Sequence, residues 1–256
     1  TVSSGTAALD IAFKSIDLKE GDEVIVPTFT IISCLNQIVR SGAKPILVDA
    51  DPFTFNVDPV NVIKKINKKT KAILIVHIYG LPVDLKSILR AAKKNKIIVI
   101  EDAAEQIGQT YNGQPVGSFG DISTFSFFVN KHITTGEGGM ICTNKKKLKK
   151  RFEILRNISF QPKKQKFIHD EIGWNYRMTN MQAAVGLAQL EKVKSFIKLK
   201  RKMGNFYNKK FKNLNSLQLP ISKNEFSENI YWVYPLIIKN NKIKIKKVIK
   251  LLKKKV

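Results

Sequence analysis

Lys131 lies within Thr124-Phe-Ser-Phe-Phe-Val-Asn-Lys131-His-Ile-Thr-Thr-Gly-Glu-Gly-Gly139, behind an apolar strand pattern and ahead of a glycine-rich turn. In a chain with 45 basic residues, a lysine is by default a solvated surface charge. This placement predicts a desolvated one. An amine out of water gives up its proton more easily and can form a Schiff base with a carbonyl. Ser126, a few residues upstream, offers a hydroxyl to a phosphate, and Gly136, Gly138 and Gly139 permit close backbone approach. The glycine run lacks the Gly-x-x-x-x-Gly-Lys-Ser/Thr spacing of a P-loop. His132 reads as a structural rather than a catalytic imidazole.

Three other strings carry chemistry. Glu101-Asp102-Ala-Ala-Glu105 ends an apolar strand, where Asp102 either caps the following turn or pairs with a cationic ring nitrogen, each charge favouring the other. Ser3-Ser-Gly5-Thr6-Ala-Ala-Leu9 leads into an amphipathic helix. Its first-turn N–H groups suit a phosphate, or are simply capped by Ser3 or Ser4. Gly173-Trp-Asn175-Tyr-Arg177-Met-Thr-Asn180 opens a long helix, with Asn175 and Arg177 as ligand or subunit contacts.

The elements that must position these residues alternate regularly. A helical face of Ala8, Leu9, Ala12, Phe13 and Ile16 precedes strands expected at 23–27, 45–49, 72–77 and 97–101, with helices near 31–41, 59–67 and 84–95 between them. The strands are continuous Ile/Val-rich runs, as burial on both faces of a mostly parallel sheet requires. Pro27, Asp49, His77 and Asp102 end them, at the edge where open α/β sheets bind ligands. Two more strands are expected at 122–127 and 139–143, then helices near 144–156 and 179–212 and a strand-like run from Ile230 to Ile238. The implied organisation is a large α/β domain over 1–200, then a linking helix and the beginning of a small domain over 201–256.

The formal charge of +25 raises nucleic acid or an anionic membrane as partners. However, the lysines fall in many short clusters, such as Lys93-Lys94, Lys145 to Lys147, Lys163-Lys164 and Lys253 to Lys255, without interleaved aromatics. Solvated faces account for them, and some of the excess helps attract an anionic nucleotide. No run approaches the ~20 apolar residues of a bilayer span. Cys34 and Cys142 show neither metal-ligand spacing nor a disulfide framework, which fits a reducing cytoplasm. No metal is expected.

In this order, the strings Ser3 to Leu9, Gly21-Asp-Glu-Val-Ile-Val-Pro-Thr28, Glu101 to Ala104, Ser126 with Lys131, Thr134 to Gly139 and Asn175 to Met178 resemble the DegT/DnrJ/EryC1/StrS family of sugar aminotransferases. The resemblance implies the fold-type I architecture of pyridoxal-phosphate (PLP) enzymes and a homodimer that shares its active sites. It also implies a cytoplasmic enzyme moving an amino group, from glutamate, to a nucleotide-linked keto-deoxy sugar. By position, Lys131 would hold PLP covalently and Asp102 would pair with its pyridine nitrogen. Gly5, Thr6 and Ser126 would hold its phosphate, and Asn175 would reach a phosphate in the neighbouring subunit. Glu105 stands where many members carry His or Gln near the ring. With Phe127, Phe128 and Asn130 it is similar to the perosamine synthase branch, whose sugar is a GDP-linked 4-keto-6-deoxymannose in O-antigen synthesis. Ile31 stands where an aromatic often packs on the ring. Relatives in which histidine replaces the lysine are dehydratases, and Lys131 argues against that chemistry. Family members extend past both ends of these residues, so the expectation is a piece of a longer protein.

Overall fold

A computed structural model describes residues 1–161, 165, 167–240 and 242–254. Lys163, Lys164 and Lys255 of the lysine clusters lie outside the described residues. Strands β1 (Glu23–Pro27), β2 (Lys44–Val48), β3 (Thr70–Val76) and β4 (Ile98–Asp102) alternate with helices α1 (Gly5–Ser15), α2 (Ser33–Arg40), α3 (Pro59–Lys65) and α4 (Lys86–Asn95). A small hairpin, β5 (Thr110–Tyr111) and β6 (Gln114–Pro115), leads to β7 (Ile122–Ser126) and β8 (Gly139–Cys142), then α5 (Lys146–Leu155). The main sheet has the order β2-β1-β3-β4-β7-β8, parallel except for β8. This is the α/β fold expected.

The two-residue period of a strand explains why the apolar runs are continuous. In β3, Ala72, Leu74 and Val76 join the core under α1, α2 and α5, while Ile73 and Ile75 join the core under α3 and α4. β1 divides likewise, with Val24 and Val26 on one side and Ile25 on the other. Each such side chain is worth about 1.5–3 kcal/mol when fully buried. From β1 the chain moves outward to β2, then returns to β3 and proceeds the other way, so the strand order reverses between β1 and β3. The crevice beyond the carboxyl ends opens there.

Two expectations need correcting. The helix anticipated over 179–212 is two, α6 (Asn180–Leu190) and α7 (Val193–Phe211), the latter running through position 200. At Lys192 the N–H bonds back to Gln189 at 3.0 Å, a tighter turn that redirects the chain. The turn places Val193 and Phe196 against Ile107, Phe127 and Ile133, packing that outweighs continuing one helix. The second correction concerns Ile230 to Ile238, of which only β10 (Ile237–Ile238) is a strand, paired with β9 (Leu217–Gln218). The Asn229 side chain takes the N–H of Tyr231 at 2.6 Å, Tyr231 has φ 47°, and Pro235 follows, so the extended run is broken. A last helix, α8 (Ile245–Lys253), carries lysines along one side.

The returning segment docks on the sheet. Ile230 donates to the Gly80 carbonyl at 3.1 Å, and the Tyr231 ring is buried against Gly204. Gly80 has φ 96°, and a Cβ there would meet the backbone nitrogens of Tyr231 and Trp232 at 2.8 Å. Both strain and collision oppose a side chain. Gly80→Ala is expected to lower stability by about 2–4 kcal/mol, read as a shift in the urea unfolding midpoint.

Candidate active site

The carboxyl edge of the sheet encloses a cavity of about 670 Å³. Each wall is the continuation of one element. After β1 come Phe29, Thr30 and Ile31; after β3, His77 and Tyr79; at and after β4, Asp102 and Glu105; at and after β7, Ser126 and Lys131; and the N-terminus of α1 brings Gly5 and Thr6. Six sequence-predicted residues, spread over more than 120 positions, thus line one space.

Lys131 is half-buried, and burial pulls its amine below the usual lysine range, while Glu105 and Asp102 pull it back up. Its Nζ lies 3.8 Å from the centre of the Trp232 ring. Asp102 is buried, and burial raises its carboxyl above the usual range, offset by the Ala104 N–H at 3.0 Å, the Cys34 thiol at 3.4 Å and the charge of Lys131. Glu105 is pushed up to about 7 by burial, although the Tyr79 N–H donates to it at 2.5 Å and Lys131 attracts it. Tyr79 reaches that position with φ 58°, a left-handed conformation that aims its amide into the cavity.

At the other end, the Thr6 hydroxyl is 2.9 Å from that of Ser33, and Ser126 Oγ accepts from Phe128 N–H at 3.3 Å. A Cβ on Gly5 would sit 2.9 Å from that of Ser126, so only glycine lets α1 begin this close to β7. Gly139 serves the same approach from β8, where a Cβ would meet the Ser4 carbonyl at 2.5 Å. Ser4 is also the N-cap, accepting from Ala7 N–H at 3.0 Å, so capping and an open first turn coexist.

Asn175 is exposed and does not line this cavity; it bridges to Asn157, and Arg177 donates to the same Asn157. His132 is buried, its Nε2 3.2 Å from the Ile230 carbonyl, and burial drops its imidazole to about 4; it is a neutral structural group. Sequence reasoning missed Trp232, Tyr79, Phe29, Cys34 and Ser33. A hydrophobic Phe29 or Tyr79 just after a strand end was a faint signal. Trp232, a hundred positions beyond Lys131, offered none. Among the described residues no group of His, Cys, Asp or Glu could hold a metal ion, and no helix is long and apolar enough to cross a membrane.

A half-buried amine near the buried Asp102 and half-buried Glu105 carboxyls, beside a helix N-terminus and two hydroxyls, is an arrangement able to support covalent carbonyl chemistry on an anionic group. The model of the DegT/DnrJ/EryC1/StrS aminotransferase family matches residues 1–256, and the chain belongs to that family. It is 47% identical over 237 residues to a GDP-perosamine synthase of Escherichia coli O157:H7, and 43% identical over 232 residues to one of Caulobacter vibrioides. Those alignments take in 93% and 91% of this chain, which spans 64% and 62% of the respective relatives. Among solved structures it resembles S. venezuelae DesV in complex with a ketimine intermediate, with a TM-score of 0.86 and 30% identity over 94% of this chain and 64% of that one. The PLP-form of the putative sugar aminotransferase Spr1654 from Streptococcus pneumoniae gives 0.85 and 28%, over 93% of this chain and 66% of that one.

The raised Glu105 carboxyl has a consequence for stability. A group protonated more readily in the folded state contributes stability that is present below its unfolded value and lost as pH rises through its folded one. Stability should therefore fall between about pH 4.5 and 7 by up to about 3 kcal/mol from this residue. Glu105→Gln should flatten that part of the urea-midpoint profile; an unchanged profile would contradict the assignment.

Proposed function

We propose that this protein is a PLP-dependent aminotransferase that moves an amino group from glutamate to a nucleotide-linked keto-deoxy sugar, with GDP-4-keto-6-deoxymannose as the leading acceptor. The observation that carries this reading is the convergence of Lys131, Asp102 and Ser126 on one cavity. The residues present fit the cofactor. Among the described residues, the buried Asp102 carboxyl has no full charge in hydrogen-bond contact, only a thiol and an amide, and a protonated pyridine nitrogen would supply one. Gly5, Thr6 and Ser126 lie where the first turn of α1 can receive a phosphate.

When bound, PLP supplies an electron sink for charge developing at the carbon attached to its nitrogen. Lys131 would hold it covalently, and its Nζ, when free, would be the base that takes up and returns a proton, a task suited to an amine whose proton affinity burial has lowered. Asp102 would pair with the ring nitrogen and keep it protonated. Glu105, close enough to Lys131 for their charges to interact, tunes the proton balance beside it. Phe29, Ile31 and Tyr79 keep the ring side of the cavity apolar.

We assign residues 201–256 to a linking helix and the start of a second domain, supported by the separate β9–β10 ladder. A homodimer in the cytoplasm completes the reading. Exposed apolar groups near the cavity mouth support it: Ile31, Ile32 and Val129, with Met181 and Leu187 on α6, a helix that has no buried residue. Asn175 is then a group offered to the neighbouring subunit.

The test is a visible spectrum of the purified protein with PLP, before and after glutamate. The wild type is expected to develop a visible absorption band that glutamate bleaches, whereas Lys131→Ala shows no such band and loses at least about 10²–10⁴-fold in transamination rate. Substantial turnover by Lys131→Ala would remove the assignment.

A further inference from the structure

The Trp232 ring has no place in the family-derived assignments, yet it touches the tip of Lys131 and the backbone beside it. Nζ stands 3.8 Å from the ring centre, and the indole Nε1–H donates to the Asn130 carbonyl at 2.9 Å. The ring itself is held independently of the lysine. The Trp232 carbonyl accepts from Lys200 Nζ at 3.0 Å, and the ring stacks on Tyr79 with centroids 6.3 Å apart and planes 26° from parallel. Behind it, Tyr231 is buried and Ile230 is bonded to Gly80. An aromatic face attracts a cation through its quadrupole, more strongly where water is scarce.

We propose that Trp232 is a positioning residue that cradles the ε-ammonium of Lys131 over its indole face, keeping the lysine next to the reacting atoms whenever its nitrogen is not covalently engaged. A lysine stem is a flexible four-carbon chain with many rotamers. A free amine on such a stem drifts unless something holds it. The indole supplies a hold that is reversible, because it favours the ammonium and releases the neutral amine. That is the behaviour required of a group that must be charged when parked and neutral when it attacks. The titratable groups around Nζ are Asp102 at the end of β4, Glu105 after it, Tyr79 after β3, His132 beside it and Lys200 on α7. Among the described residues, only the indole contacts Nζ through a ring face. The role in turnover rests on the aminotransferase reading; the contact does not.

The experiment is competitive labelling of lysines with acetic anhydride as a function of pH, resolved by peptide mass spectrometry, on wild type, Trp232→Phe and Trp232→Leu without cofactor. Losing the ring removes a stabiliser of the ammonium, so the midpoint of the Lys131 profile should move to lower pH in Trp232→Leu. At about pH 7.5 the lysine should then react roughly three- to tenfold faster, with an unchanged plateau at high pH. Trp232→Phe, which keeps a smaller and weaker ring face and loses the Nε1–H, should fall between the two. Lys200, bonded to the backbone of residue 232, should keep its profile in both variants. A Lys131 midpoint that stays put while the plateau rises would mean mere exposure, and equal shifts at Lys131 and Lys200 would mean general loosening; either overturns the proposal. Repeating the wild-type labelling with PLP separates the two readings. Lys131 left unprotected would count against the aminotransferase assignment alone, while the profiles of the variants still decide the role of Trp232.

Discussion

Three ionisable side chains, Lys131, Asp102 and Glu105, share the carboxyl edge of the sheet, each at least partly buried. Removing any one of them from water costs several kcal/mol, and only the opposite charges nearby offset that cost. The balance is visible in the directions of their shifts. Burial raises both carboxyls and lowers the amine, and in each case the opposite charge acts the other way. Burial prevails in all three, and Glu105, pushed up to about 7, exchanges its proton near neutrality. Chemistry that moves protons benefits from such a balance, and the remaining architecture serves to keep the three groups close.

That architecture depends on the alternation along β4. Asp102 points into the cavity, while its neighbour Glu101 points to the opposite face and is wholly buried there. Burial alone would raise the Glu101 carboxyl. A bond from His77 and the amides of Gly120 and Gly117 lower it further than burial raises it, and Phe119 N–H donates to it as well at 2.8 Å. His77 Nδ1 accepts from Val83 N–H at 3.1 Å, so the imidazole is the Nε2–H tautomer and donates to Glu101. One carboxylate thereby ties the ends of β3 and β4 to the loops that follow β3 and precede β7. Asp102 can stay underpaired beside the cavity because its immediate neighbour Glu101 is fully paired.

The return of the chain after α7 closes the arrangement. Gln109 Nε2 donates to the carbonyls of Gly80 and Glu228, His132 approaches that of Ile230, and Trp232 grips Asn130. Apart from Gln109 with Gly80, these are contacts between segments about a hundred positions apart, and they hold the returning segment against the cavity. Surface pairs such as Lys149 with Glu153 are exposed and contribute little by comparison. The lysine excess has its place on solvated faces and does not shape the site.

Much of this was legible in the residues alone. Continuous Ile/Val runs ending in His77 and Asp102 could be nothing but buried parallel strands, and their period placed the site at one edge. Gly139 beyond Lys131 and Gly5 at the start of α1 pointed to close approach, which both make, whereas Gly136 stands in open space. Local patterning specifies such features because each depends on a few neighbouring residues. Other features were illegible for the converse reason. The break between α6 and α7 carries no glycine or proline and results from packing against Ile107, Phe127 and Ile133. The strand anticipated from Ile230 gave way to Asn229 and the docking on Gly80. Trp232 over Lys131, Cys34 beside Asp102 and the Tyr79 amide on Glu105 join residues that no spacing rule connects. The sequence determined the strands of the main sheet and the residue types gathered at their carboxyl edge, since periodicity and residue chemistry are local. Only the tertiary structure decided which side chains surround those groups and shift their proton affinities, because desolvation and charge pairing depend on distances that the folded chain alone sets.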